Sequence, residues 1–207
     1  METVKILYID DDIDSNISNY LYDFCDNDSQ NDCEKDQFLF EYNEQKFSNE
    51  ETYESLLLSK KIANADIILI DSKLFENSNI KGCKFTGEEF SIILKKYFYF
   101  KEIIVITQNT LENGIDIIPK WDDSKAPNYV EFYDSTLKPK ICNLSKEVVS
   151  NRKIFKRLID NSNINISLID KLKNNIEGSL EYSEFSKTDI DILVENFKEI
   201  RELLNEK

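Results

Sequence analysis

The chain has 207 residues, with 26 basic and 40 acidic side chains, a net charge of −14 and no histidine. Imidazole acid–base chemistry, Ser-His-Asp triads and His–Cys zinc sites are therefore excluded, and so negative a chain is a poor general polyanion binder. At 41% hydrophobic and 12% aromatic it can build a core, as one enlarged domain or two small ones.

The opening METVKILYIDDD has no apolar leader, and no stretch approaches the roughly 20 apolar residues of a membrane span. Cys25, Cys33, Cys83 and Cys142 form no C-x-x-C pair. Irregular spacing at this length predicts four reduced thiols in a cytoplasmic protein.

In chain order, the apolar run VKILYI at 4–9 predicts a first strand, followed by a helix over about 13–25. A weaker alternating run at 38–42 suits an outer strand, and a helix follows over about 50–63. IILI at 67–70 and IIVI at 103–106 predict two more buried strands, separated by a helix over about 87–98. Runs of four to six β-branched and apolar residues mark strands covered on both faces, as in a parallel sheet. A poorly written helix between 108 and 126, broken by Gly114 and Pro119, leads to a fifth strand at 129–133 and a helix over about 143–160. Five strand–helix repeats predict a doubly wound α/β domain over 1–160.

Residues 161–207 read differently. Two amphipathic segments, about 166–177 and about 187–205, flank Gly178, and Thr188 with Asp191 resembles a capping box. Ile190, Leu193, Phe197, Ile200 and Leu204 follow the rhythm of a helix seam, which either packs back on the domain or pairs two copies. The segment has 6 basic and 10 acidic residues and makes a poor DNA reader. The preceding stretch 138–160 carries 7 basic and 2 acidic residues, including Lys153, Lys156 and Arg157, which read as a solvated helix face.

Ligands of open parallel sheets sit beyond the carboxyl ends of the strands. Strand one ends in Asp10-Asp11-Asp12, strand three in Asp71 and strand four in Thr107, while the predicted fifth strand runs toward Lys138-Pro139. Converging carboxylates need a cation to stay ionised together, and an all-oxygen cluster favours Mg²⁺. The metal and a lysine can neutralise an incoming phosphoryl group, an aspartate can accept it, and a threonine hydroxyl can bond its oxygens.

These residues resemble a response-regulator receiver domain of two-component signalling. The likeness rests on ILYIDDD, DIILIDSKL, EIIVITQ and DSTLKP in that order, with Gly87 in TGEEFSIILKK resembling the glycine that opens the third helix. It implies a flavodoxin-like (βα)5 fold, with Asp71 as phosphoacceptor. Mg²⁺ would be held by Asp10, Asp11, Asp71 and the backbone carbonyl of Lys73. By the same likeness Lys138 pairs with the phosphoryl group and Thr107 moves onto it. The implied partners are a histidine kinase or phosphotransfer protein and a downstream protein or second copy, without nucleic acid or membrane. The implied chemistry is self-phosphorylation and slow self-dephosphorylation, not turnover of a substrate.

The chain also departs from the family pattern. Gln108 follows Thr107 where a small residue is usual, Ser135 stands where an aromatic precedes the lysine, and Phe75 replaces a proline. The connections 26–36, 74–86 and 108–128 are enlarged. These departures keep open a pseudo-receiver, an interaction module not controlled by phosphate. Asp10-x-Asp12 also resembles the opening of haloacid-dehalogenase phosphohydrolases, but residue 14 is Asp and no acidic pair follows Lys138.

Overall fold

A computed structural model describes residues 1–26, 33, 38–48, 51–75, 86–98, 100–108, 117–124 and 126–160, with 169–171, 173 and 192 beyond them. The expectations for 161–207 thus lie almost wholly outside the described residues. Five strands form one sheet in the order β2-β1-β3-β4-β5. They are β1 (Glu2–Asp10), β2 (Phe38–Lys46), β3 (Ile67–Asp71), β4 (Glu102–Thr107) and β5 (Ile117–Pro119). Every neighbouring pair is parallel. This is the flavodoxin-like order.

Alternation along each strand divides the core in two. Val4, Ile6 and Tyr8 of β1, Ile67 and Leu69 of β3, and Ile104 and Ile106 of β4 face α1 (Ser15–Asp26) and α5 (Tyr129–Asp160). On the other face Leu7, Ile9, Ile68, Ile70 and Ile103 pack under α2 (Tyr53–Leu57), α3 (Lys60–Asn64) and α4 (Gly87–Tyr97). Both faces of the central strands are covered, as the unbroken apolar runs required. Phe75, in the position where receivers carry a proline, is fully buried here and sets its ring edge against Phe47 and Phe90.

Three expectations are corrected. The stretch 50–63 is two short helices, because Ser59 caps the second by accepting a hydrogen bond from the Lys61 amide. The fifth strand lies not at 129–133 but at Ile117–Pro119, inside the stretch expected to be helical. Proline is tolerated there because β5 pairs with β4 at the edge of the sheet. Residues 129–133 instead open α5, where the Asn128 side chain accepts from the Val130 amide at 2.9 Å as the helix cap. Tyr133, Leu137, Ile141, Leu144 and Val148 then form a buried stripe at helical spacing. Pro139 is tolerated on the exposed side of α5.

A further correction concerns the thiols. Cys33 and Cys142 are joined in a disulfide with Cα atoms 5.3 Å apart. It ties the α1–β2 connection to α5. Cys25 is free and half-buried, its thiol pushed up to about 12 by burial, and Cys83 lies outside the described residues. No described helix is long and apolar enough to cross a membrane.

At the amino end of the sheet, Asp66 joins three elements. Its carboxylate accepts from the Lys5 amide at 2.8 Å and pairs with Arg152 of α5 at 2.5 Å, while Arg152 also donates to the Thr3 carbonyl. Nearby Lys101 is buried and donates to the Ala63 and Ala65 carbonyls, both at 2.6 Å. Burial lowers its pKa to about 8, against the opposing pull of Asp66. Between that value and the unfolded 10.5, the unfolded chain binds the extra proton, so stability rises with pH across this window. The gain is absent below about 8. Its full size is about 3 kcal/mol. Urea denaturation from pH 8 to 10.5 should show this rise relative to Lys101→Met, and parallel pH curves would refute it.

Candidate functional site

The strand order places the candidate residues side by side. Ile9 pairs with Ile70 and Asp71 with Ile106, so Asp10 and Asp71 end neighbouring strands. Thr107 follows on β4, in register with Pro119 of β5. The Lys120 amide donates to the Thr107 carbonyl at 2.7 Å, fixing Lys120 at the same edge. An open cleft of about 490 Å³ lies over this edge, and Asp11, Lys73 and Gln108 also line it.

The lysine at the site is Lys120. Its ammonium is 2.7 Å from Asp71 Oδ1 and 3.0 Å from Asp10 Oδ2. Lys138, expected from the lysine–proline turn, sits half-buried within α5 and ends no strand. The position of β5 at Ile117–Pro119 accounts for the difference, and it also removes the significance of Ser135, which lies inside α5. With Lys120 as reference, the residue three positions earlier is Ile117. Trp121 comes next, its amide donating to the Tyr133 hydroxyl at 3.0 Å and its indole to the Ala126 carbonyl at 2.9 Å. Tyr133 thereby secures the segment carrying Lys120.

Asp10 and Asp71 are 1% and 5% exposed, and Thr107 is also buried. Carboxylate oxygens of Asp10, Asp11 and Asp71 lie within 4.8 Å of one another, close enough to share one cation. Asp71 Oδ2 also accepts from the Lys73 amide at 2.7 Å. Asp12 differs: its side chain is 98% exposed and 3.8 Å from Lys46. Asp14 caps α1, its Oδ1 accepting from the Asn16 amide at 2.9 Å.

The charges at this edge do not balance. Burial pushes the Asp71 carboxyl above its usual value, and the neighbouring Asp10 adds to this, against Lys120. Burial also disfavours the Lys120 ammonium, yet Asp71 and Asp10 together hold it above its ordinary value. One ammonium serves two buried carboxylates, with Asp11 beside them, so the lysine has excess negative partners while Asp71 has too little positive charge. A metal ion held by these carboxylates would offset that deficit.

Gly87 explains how α4 approaches. A Cβ there would lie 2.2 Å from the Asp71 carbonyl oxygen, and the Gly87 amide donates to the Ser72 carbonyl at 2.7 Å. The Ser72 hydroxyl donates to Glu88 at 2.7 Å, and Thr86 with Glu89 forms a capping box. The start of α4 is thus locked to the backbone of Asp71.

Two contributors escape a sequence reading. Lys120 follows a three-residue strand that itself contains Pro119. Tyr8 is indistinguishable from a core aromatic, although its hydroxyl donates to Asp10 Oδ2. Burial, reinforced by Asp10, holds the Tyr8 phenol far above its usual pKa, so it remains a donor.

No family model and no curated protein matches the chain. The fold and the acidic cluster define the class: a flavodoxin-like α/β domain with three clustered carboxylates at the strand carboxyl ends, fit to hold a metal ion.

Proposed function

We propose that the chain is a receiver-like phosphorylation switch that accepts a phosphoryl group on Asp71 with Mg²⁺. The observation that carries this reading is Lys120 bridging Asp10 and Asp71 beside Asp11, on the carboxyl edge of a sheet ordered 2-1-3-4-5. An ammonium shared with the acceptor is placed to follow charge onto a phosphoryl oxygen.

In this reading an Asp71 carboxylate oxygen attacks phosphorus as the donor's bond to phosphorus breaks, leaving an aspartyl phosphate. Lys120 turns from Asp71 toward the new phosphoryl oxygens, and the Thr107 hydroxyl bonds another. The Lys73 amide keeps Asp71 oriented during the attack. Asp10, Asp11, Asp71 and the Lys73 carbonyl would hold Mg²⁺, which when bound would supply positive charge at the transferring group. The chain has no histidine, so a phosphohistidine donor belongs to a partner kinase or phosphotransfer protein. Output passes to a protein partner or second copy, with 161–207 as the output or pairing segment. Catalysis is limited to gain and slow loss of its own phosphoryl group.

Gln108 lining the cleft favours a second reading, the pseudo-receiver. The hydrolase reading draws no support from the acidic cluster, which joins Asp10, Asp11 and Asp71 and leaves out Asp12. Incubation with acetyl phosphate and Mg²⁺ distinguishes the three. The expected result is a gain of one phosphoryl mass, absent in Asp71→Asn. No gain favours the pseudo-receiver, and sustained turnover of a phosphoester favours the hydrolase.

A further inference from the structure

We infer that Tyr8 is a positioning residue for the cation site, holding Asp10 so that one carboxylate oxygen is kept for the metal. The inference rests on the metal-dependent reading above and deepens it. Tyr8 and Asp10 are two residues apart on β1 and so share a face, with the Tyr8 ring fully buried in the core beneath α1 and α5. From there its hydroxyl donates to Asp10 Oδ2 and accepts from the Asp14 amide at 3.4 Å. The phenol is therefore a fixed post, held by packing on one side and by the start of α1 on the other.

Asp10 then has a divided carboxylate. Oδ2 takes Tyr8 and Lys120, whereas Oδ1 takes the Asp12 amide at 3.0 Å. A carboxylate offers about four lone-pair sites, so roughly one remains, on Oδ1. That oxygen is left to join Asp11 and Asp71 around a cation. Without the phenol, Oδ2 has Lys120 as its remaining donor among these contacts. The carboxyl group can then rotate toward the ammonium and away from a metal-ready pose. Groups that orient a metal ligand through hydrogen bonds typically contribute 10–100-fold to affinity.

Tyr8→Phe keeps the ring and its packing and removes only the hydroxyl. The control is Tyr20→Phe, which removes a comparable bond, Tyr20 to Asp134 at 2.9 Å, elsewhere in the same core. Mg²⁺ binding is read by calorimetry and by fluorescence of Trp121, the single tryptophan and the neighbour of Lys120. Tyr8→Phe is expected to weaken Mg²⁺ binding about tenfold, with phosphoryl uptake from acetyl phosphate restored at saturating Mg²⁺. Tyr20→Phe is expected to bind as the wild type does. Unchanged affinity in Tyr8→Phe, or an equal loss in both variants, overturns the positioning role while leaving the metal-dependent reading in place. A wild-type chain that binds no Mg²⁺ overturns both.

Discussion

Replacing Lys120 with methionine is expected to lower the stability of the metal-free protein by about 3 kcal/mol, because removing one partner of a buried ion pair leaves the other uncompensated. Here two carboxylates are left, with Asp10 and Asp71 side chains 2% and 8% exposed. If the proposed site takes the ion, saturating Mg²⁺ should recover part of the loss by supplying positive charge. Lys120→Met should therefore gain more from Mg²⁺ than the wild type does. Lys138→Met, within α5, should change stability by less than about 0.5 kcal/mol. Urea unfolding with and without Mg²⁺ measures all of these differences. Equal losses at the two lysines would contradict the assignment of Lys120 to the site.

The second large effect is expected at the disulfide. Cys33 and Cys142 are 109 residues apart in sequence. A cross-link closing a loop of about that length restricts the unfolded chain by roughly 4–5 kcal/mol in the loop-entropy account. Cys33→Ser/Cys142→Ser is expected to unfold at lower denaturant by about that amount, and reducing agent should bring the wild type to the same curve. Both partners are buried, at 1% and 8% exposure, so reduction of the native state should be slow. A non-reduced peptide map with both thiols free, and a curve insensitive to reductant, would refute the cross-link.

Most of the acidic edge was legible in the sequence because it follows from strand ends. The runs ending at Asp10, Asp71 and Thr107 are long and apolar enough to reveal both the strand and its terminus. Lys120 was hidden for the opposite reason. Its strand is three residues long, contains a proline and sits at the sheet edge, so neither apolar length nor β-propensity marks it. The alternating YVEFY at 129–133 fits a strand equally well, and only the cap at Asn128 with the later stripe decides for a helix. The disulfide was illegible because loop–helix proximity across 109 residues leaves no trace in cysteine spacing. Tyr8 shows a general limit: the polar tip of a core aromatic acquires meaning only when its neighbour two residues along the strand is a ligand.

The long α5 has consequences for how an event at Lys120 would spread. Tyr133 grips the Lys120–Trp121 segment at one end of the sheet, while Arg152 grips Thr3 and Asp66 at the other. The grips are about 28 Å apart along the helix axis. Pro139 interrupts the backbone ladder between them, close to Ser135 and Thr136, whose hydroxyls both donate to the Phe132 carbonyl. The helix is therefore anchored near both ends and lacks one backbone donor in between. A shift of Lys120 would therefore reach α5 first at Tyr133, on the side of Pro139 away from the Arg152 anchor.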